Sequence, residues 1–420
     1  MTQTLRQVIL LSPYRGASEP RHGSSYALER YCSDLVDALL KFDPSLEITV
    51  LADDPGFADD TTSTRLTVQR VWARNSLRSG RSITRAIKAV GTPAAPLVAQ
   101  FEVAIFGAAR HGIAVAATLL ALRLRGRRIV VVVHNIAPSV AAIGGQLGRR
   151  PGSLLVRMYA MLLRLWPPIL HLLASDCIVL EPAVARFISD GGYRRPVTVI
   201  PHGIRPQTRD LHRRRAATGV LLVLGFPGWY KGTDLPVTWW EDPATRSLFP
   251  EGARLVVAGS PNPVHAGEQN YERYLTDLRH QCHRAGVTYL PEVRTRDIPR
   301  LLNTADLLVF PYRALVGGSG LFALAIQHRV PVALSAAVGD WLRAPDCAEA
   351  LSKAGLEVAD LIFSDAASLA RLAHDARSPE FHDRIRAMMD ILARGRDWSV
   401  VASRYHAVLM PPWVTAHTRP

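Results

Sequence analysis

The sequence predicts an α/β fold made of two doubly wound parallel-sheet domains. Three observations carry that prediction. Short β-rich runs alternate with longer helical runs along the chain, the signature of parallel sheets wrapped on both faces. One run, IVVVV at 129–133, is apolar without alternation, as a strand buried on both sides must be. The pattern then restarts after a polar, basic stretch at 201–218 that contains two prolines.

The elements follow in order. VILLSP (8–13) reads as the first strand and 24–42 as the helix behind it. LEITVLAD (46–53) is the next strand; 98–112 opens as a strand and 112–125 continues as a helix. RRIVVVVHNIAP (127–138), CIVLE (177–181) and VTVIPHGI (197–204) complete the first set. VLLVLGFPG (220–228), RLVVAGSPN (254–262), VTYLPEV (287–293), DLLVFPYR (306–313) and VPVALS (330–335) form the second. An amphipathic helix closes the chain at 397–410.

Bulk properties narrow the class. The chain has 420 residues, 48% hydrophobic and 20% charged, enough for sizeable cores without staples. Its four cysteines, Cys32, Cys177, Cys282 and Cys347, are scattered with no CxxC spacing, so free thiols in a cytoplasmic, reducing setting are expected. No secretory leader and no uncharged run of spanning length is seen; the nearest, 154–174, is broken by Arg157, Arg164 and Pro167-Pro168. The formal net charge of +14 favours anionic partners.

In sheets of this kind ligands bind beyond the carboxyl ends of the strands, and the chemistry-bearing residues stand there. Gly225, Gly228 and Lys231 sit in LGFPGWYKGTD, and Gly259 ends the next strand. Glycines let the backbone approach a ligand, and a lysine neutralises a diphosphate without a metal. GGSGLFALAIQH (317–328) puts Gly318, Ser319 and Gly320 before an apolar helix starting at Leu321; amides at a helix start attract anions. An ordinary Ser cap explains the same serine. His134 and Asn135 follow the strongest strand, and Glu102 ends the one before it. Gly16, Glu19 and His22 lie in a glycine-bearing loop after the first strand and are candidates for meeting an acceptor. No HxxEH-like cluster or carboxylate cage appears, so no metal site is expected.

Taken in order, QFEVAIFG, RRIVVVVHN, VTVIPHGI, LLVLGFPGWYKGTDL, RLVVAGSP, ADLLVFPYRALVGGSGLFALAIQHRVPVALS and the terminal W…Y helix resemble the family 4 glycosyltransferases. That resemblance implies the GT-B architecture, with two Rossmann-like domains facing a central cleft. It implies an acceptor-binding domain over 1–204, a nucleotide-sugar-binding domain over 205–396, and a helix over 397–420 packing back toward the first. By position it implies that Lys231 holds the donor diphosphate, that Ser319, Gly320 and Leu321 lie at the donor phosphate and sugar, and that His134 lies near the transferred sugar. Gly16 matches the glycine loop of the first domain. The departures are specific. Phe226 stands where the family usually has Arg, so one diphosphate cation is missing unless Arg313 or another residue substitutes for it. Gly317 and Leu324 stand near the positions of two customary glutamates, and His328-Arg329 replaces a customary glycine.

The expected activity is metal-independent transfer of a sugar from a UDP- or GDP-type donor to a hydroxyl of a glycan or lipid-linked acceptor, with retention of configuration. Catalytic candidates are His134, Lys231 and Glu102. Two other readings compete: a non-catalytic nucleotide- or glycan-binding partner protein, and a nucleotide-sugar epimerase. Arginines crowd the first domain at 74–88, 123–128 and 149–164, which suits the anionic inner face of a membrane. No nucleic-acid-binding module is recognisable, and nucleic acid is not an expected partner.

Overall fold

The computed structural model describes residues 6–14, 26–53, 63–90, 92–102, 105–107, 109–136, 153–205, 218–262 and 265–411. The chain divides into two compact units. The first comprises Met1–Ile136, Leu165–Gly203 and Asp397–Pro420, the second Ala137–Arg164 and Ile204–Arg396.

The first unit holds a seven-stranded sheet of β1 (Arg6–Leu11), β2 (Leu46–Asp53), β3 (Leu66–Trp72), β4 (Leu97–Glu102), β5 (Ile129–Asn135), β6 (Asp176–Val179) and β7 (Val197–Val199). Its order is β3-β2-β1-β4-β5-β6-β7, and every pairing is parallel. β5 is buried from Ile129 to His134, as its unbroken apolar run requires. The strand reading omitted β3, LTVQRVW. It alternates buried with exposed or half-buried residues, as an edge strand with one wet face does.

The second unit holds a six-stranded sheet of β8 (Val220–Leu224), β9 (Arg254–Ala258), β10 (Thr288–Leu290), β11 (Leu307–Phe310), β12 (Val332–Ser335) and β13 (Ile362–Phe363). Its order is β10-β9-β8-β11-β12-β13, again all parallel. β13, two residues long, has too little pattern to be read from sequence. In both sheets the first strand of the unit lies inside, and the order reverses beside it. Such a switch point leaves a gap at the carboxyl ends where ligands bind.

The boundary at 203/204 lies one residue from the expected one. The described residues 153–164 depart from the expected first domain: they group with the second unit. The closing helix, Trp398–Leu409, belongs to the first unit and packs on the helix Tyr26–Phe42. Its Trp398, Val401, Ala402, Tyr405 and Leu409 are buried. The Tyr405 hydroxyl pairs with that of Tyr31 at 2.6 Å, and Arg128 donates to the carbonyls of Val408 (2.6 Å) and Leu409 (2.8 Å).

Candidate functional site

In the second unit two loops meet beyond the carboxyl ends of β8 and β11. β8 runs into Gly225, whose φ of +114° is open to glycine and closed to most side chains. The Gly225 amide donates to the Ala258 carbonyl at 2.9 Å, which ties this turn to the end of β9. Gly259 serves the same contact. A Cβ there would lie inside the envelope of the Gly225 carbonyl oxygen, so Gly259 is a close-packing residue that sets where Gly225 sits. The turn then closes through Lys231 N to Gly228 O (3.1 Å) and Gly232 N to Trp229 O (2.9 Å). The Gly228 amide itself rests on the Thr233 hydroxyl at 3.3 Å.

This places the Lys231 ammonium over Gly225. A Cβ on Gly225 would stand 3.6 Å from Nζ and 3.9 Å from Cδ2 of Leu321. Glycine, lysine and the helix start, separated by about ninety residues in sequence, thus converge on one point. Nζ is flanked by the rings of Phe226 at 5.7 Å and Tyr230 at 5.9 Å, within cation–π range. Among the described residues no carboxylate pairs with Lys231. Burial pushes its pKa down to about 8, because desolvation penalises a charge that has no counter-ion.

The helix Gly320–His328 begins at Ser319, whose side chain accepts from Phe322 N at 3.2 Å. Ala323 N closes on the Ser319 carbonyl at 3.1 Å. The amides of Gly320 and Leu321 come too early in the helix for an intrahelical acceptor. The helix therefore starts one residue before the expected Leu321. The Ser319 oxygen is occupied as a cap, while the Gly320 and Leu321 amides have no acceptor within the helix. Tyr312, hydrogen-bonded to Ser319 and pushed up to about 12 by burial, backs the loop.

Arg313 is not a free cation. Its guanidinium binds both Asp234 oxygens, at 2.8 and 2.5 Å, and the Trp229 carbonyl at 2.7 Å. It also stacks 4.9 Å from the Trp229 ring. The Arg313 amide donates to Tyr230 O at 2.8 Å. The residue clamps the Lys231 turn onto the loop after β11. We expect Arg313→Ala to leave Asp234 with only the Tyr274 hydroxyl and lower the melting temperature by several degrees, as breaking a bidentate part-buried pair does. Arg313→Lys should restore only part of that loss, because ammonium lacks the fork. Calorimetric unfolding of both variants checks this.

In the first unit the ends of β4 and β5 carry two polar pairs. His134, 8% exposed, meets the Gln100 oxygen through Nε2 at 2.5 Å. Its ring packs edge-on to Tyr31 at 4.8 Å. Burial, with His202 nearby, pushes His134 down to about 3, so the imidazole is neutral at ordinary pH and Nε2 carries the proton given to Gln100. Glu102, opposite Asn135 in register, is hydrogen-bonded to it and faces Arg74; burial raises its pKa in spite of both. His202, read as a hinge residue, packs against Tyr31 and Trp398. Gly16, Glu19 and His22 lie outside the described residues. Sequence reading missed Gln100, Tyr31 and Tyr230: none carries a charge or a motif, and only packing shows their role. Among the described residues no three His, Cys, Asp or Glu side chains converge to hold a metal.

Solved structures share this architecture over nearly the full chain. A sucrose-phosphate synthase from Thermosynechococcus elongatus is 15% identical, with a TM-score of 0.61 over 96% of this chain and 98% of that one. A UDP-forming α,α-trehalose-phosphate synthase from Burkholderia vietnamiensis is 13% identical, with a TM-score of 0.66 over 96% and 97%. HepE of Anabaena, in complex with UDP, is 15% identical, with a TM-score of 0.59 over 96% and 99%. The likeness establishes the fold as GT-B. No protein-family model and no curated protein sequence matches the chain.

Proposed function

We propose that the protein transfers a sugar from a nucleotide-sugar donor to a hydroxyl of a glycan or lipid-linked acceptor, in polysaccharide or glycoconjugate assembly. One observation carries this reading: the uncompensated Lys231 ammonium beside the Gly225 backbone and the start of helix Gly320–His328. A nucleoside diphosphate supplies the missing counter-charge. Lys231 and the Gly320 and Leu321 amides then stabilise the leaving diphosphate as its charge grows, and electrostatic terms of this kind dominate such reactions. The resemblance to family 4 glycosyltransferases supports the same assignment, as do fold neighbours described as UDP-forming or solved with UDP.

In the retaining course, the acceptor oxygen bonds to the anomeric carbon while the bond to the diphosphate breaks. The acceptor proton passes to a phosphate oxygen of the leaving group. No protein base is required, which agrees with a His134 that is neutral, buried and committed to Gln100. In an inverting course Glu102, whose pKa burial has raised, is the candidate base. Glu102→Gln separates the two: near-wild-type turnover supports retention, and loss of turnover with intact donor binding supports a base.

The test is thermal stabilisation by UDP, GDP, ADP and their sugars, followed by hydrolysis or transfer with the stabilising donor. One nucleotide class should raise the melting temperature, since a ligand bound only by the native state must. No shift with any nucleotide would refute the reading. Phe226 in place of a cation and Arg313 committed to Asp234 favour a second reading, a non-catalytic nucleotide binder. That protein would show the shift and no turnover.

A further inference from the structure

The positive charge of this protein has one address. Residues 61–175 carry sixteen Lys and Arg and a single acid, Glu102, while the other 305 residues carry 34 Lys and Arg against 35 Asp and Glu. Within this stretch, three helices of the first unit form one layer over its sheet. Ser79–Val90 packs on Ala109–Leu124, which packs on Trp166–Leu173. Gly80 permits the first approach, for a Cβ there would meet the Thr118 hydroxyl.

The outward faces of this layer are unusual in two ways. On Ser79–Val90 and the turn before it, Arg78, Arg81, Arg85 and Lys88 are all exposed, at a spacing that lines one helical face. Among the described residues none of the four has a carboxylate partner. On the next helix the exposed face starts with Arg110 and is otherwise apolar: Ile113 is 68% and Leu124 79% exposed, eleven residues or three turns apart. On the third, Leu165, Ile169 and Leu172 are exposed. Five of the twelve large hydrophobic residues exposed among the described residues, Ile113, Leu124, Leu165, Ile169 and Leu172, fall on this layer. No described helix is long and apolar enough to cross a membrane.

We propose that this helical layer is a docking surface for an anionic phospholipid bilayer, with the arginines on headgroup phosphates and the Ile and Leu side chains in the acyl boundary. The combination selects the partner. Basic residues alone suit any polyanion, but nucleic acid gives no return for exposing Ile113, Leu124, Leu165, Ile169 and Leu172. A second copy would bring a like-charged face against this one. A bilayer surface rewards both features. The proposal is independent of the donor site, which lies in the other unit.

Co-sedimentation with phosphatidylcholine vesicles, with and without phosphatidylglycerol, tests it. The full chain should pellet with the anionic vesicles at low salt, lose most binding at high salt, and ignore the neutral ones. Each basic residue at an anionic leaflet is worth about fivefold in partitioning, so Arg81→Ala with Arg85→Ala should weaken binding by about 25-fold. Ile113→Ser with Leu124→Ser should weaken it by about tenfold at unchanged charge. All four sites are exposed, and an unchanged melting temperature confirms folding. Absent binding, or equal binding to neutral vesicles, would overturn the proposal. So would duplex DNA or RNA binding stronger than vesicle binding and indifferent to the Ile113 and Leu124 changes, or self-association abolished by them.

Discussion

Lys231→Met is expected to do two opposite things. It should reduce turnover by about 10²–10³-fold, the usual loss when one group stabilising a developing charge is removed. It should also raise the melting temperature of the ligand-free protein. The side chain has similar length, Phe226 and Tyr230 offer it an apolar bed, and a part-buried charge with no counter-ion disappears. Replacing such a charge by a hydrophobe of similar volume stabilises by about 1–3 kcal/mol. The pH dependence follows from the sign of the shift. Lys231 sits near 8 in the native protein against an ordinary value of 10.5. The cost of keeping it charged is complete below about pH 8 and vanishes above about 10.5. The stability advantage of the Met variant should therefore be full at pH 7 and shrink as pH rises through that window. Differential scanning calorimetry across pH, beside a turnover assay, checks both halves. A Met variant less stable than wild type at pH 7 would show that Lys231 is held by something other than rings and backbone.

The second large effect is expected from Gly259→Ala. The added methyl would collide with the Gly225 carbonyl, and relief requires the ends of β8 and β9 to part. Overpacking of this kind costs about 1–3 kcal/mol. The displaced element is the turn that carries Lys231, so nucleotide affinity should fall along with stability. Ala at Gly252, which also has a positive φ of 72° but nothing near its Cβ position, is the control: it should cost some stability and leave affinity unchanged. Titration calorimetry with the stabilising nucleotide separates the two variants.

These expectations show what the sequence made legible. Strands with unbroken apolar runs, such as IVVVV in β5 and VLLVL in β8, announce themselves, because burial on both faces leaves no alternation to confuse with a helix. The glycine and lysine of the β8 turn were equally visible, since few other roles ask for glycine at a strand end. The fate of Arg313 was not. A lone arginine after β11 reads as a free cation until folding brings Asp234, seventy-nine residues away in sequence, against it. His134 was found for its position at the strand end, but its neutrality depends on Gln100 and His202, which no local pattern marks. β3 was missed for a physical reason too: an edge strand with a wet face is a weaker signal than a buried one.

The closing helix has a consequence for how the chain is made. Tyr405, Trp398 and Leu409 are buried in the first unit beside Tyr31 and the helix Tyr26–Phe42. That unit therefore cannot complete its core until its last helix has left the ribosome. The second unit, whose described strands all lie between Val220 and Phe363, is fully synthesised first. During translation the amino-terminal half waits, with the apolar face of its amphipathic helix Tyr26–Phe42 unsheltered, for partners such as Tyr405, 374 residues beyond Tyr31. A ribosome stalled before residue 398 would present that helix to chaperones, and a carboxyl-terminal truncation would injure the amino-terminal half.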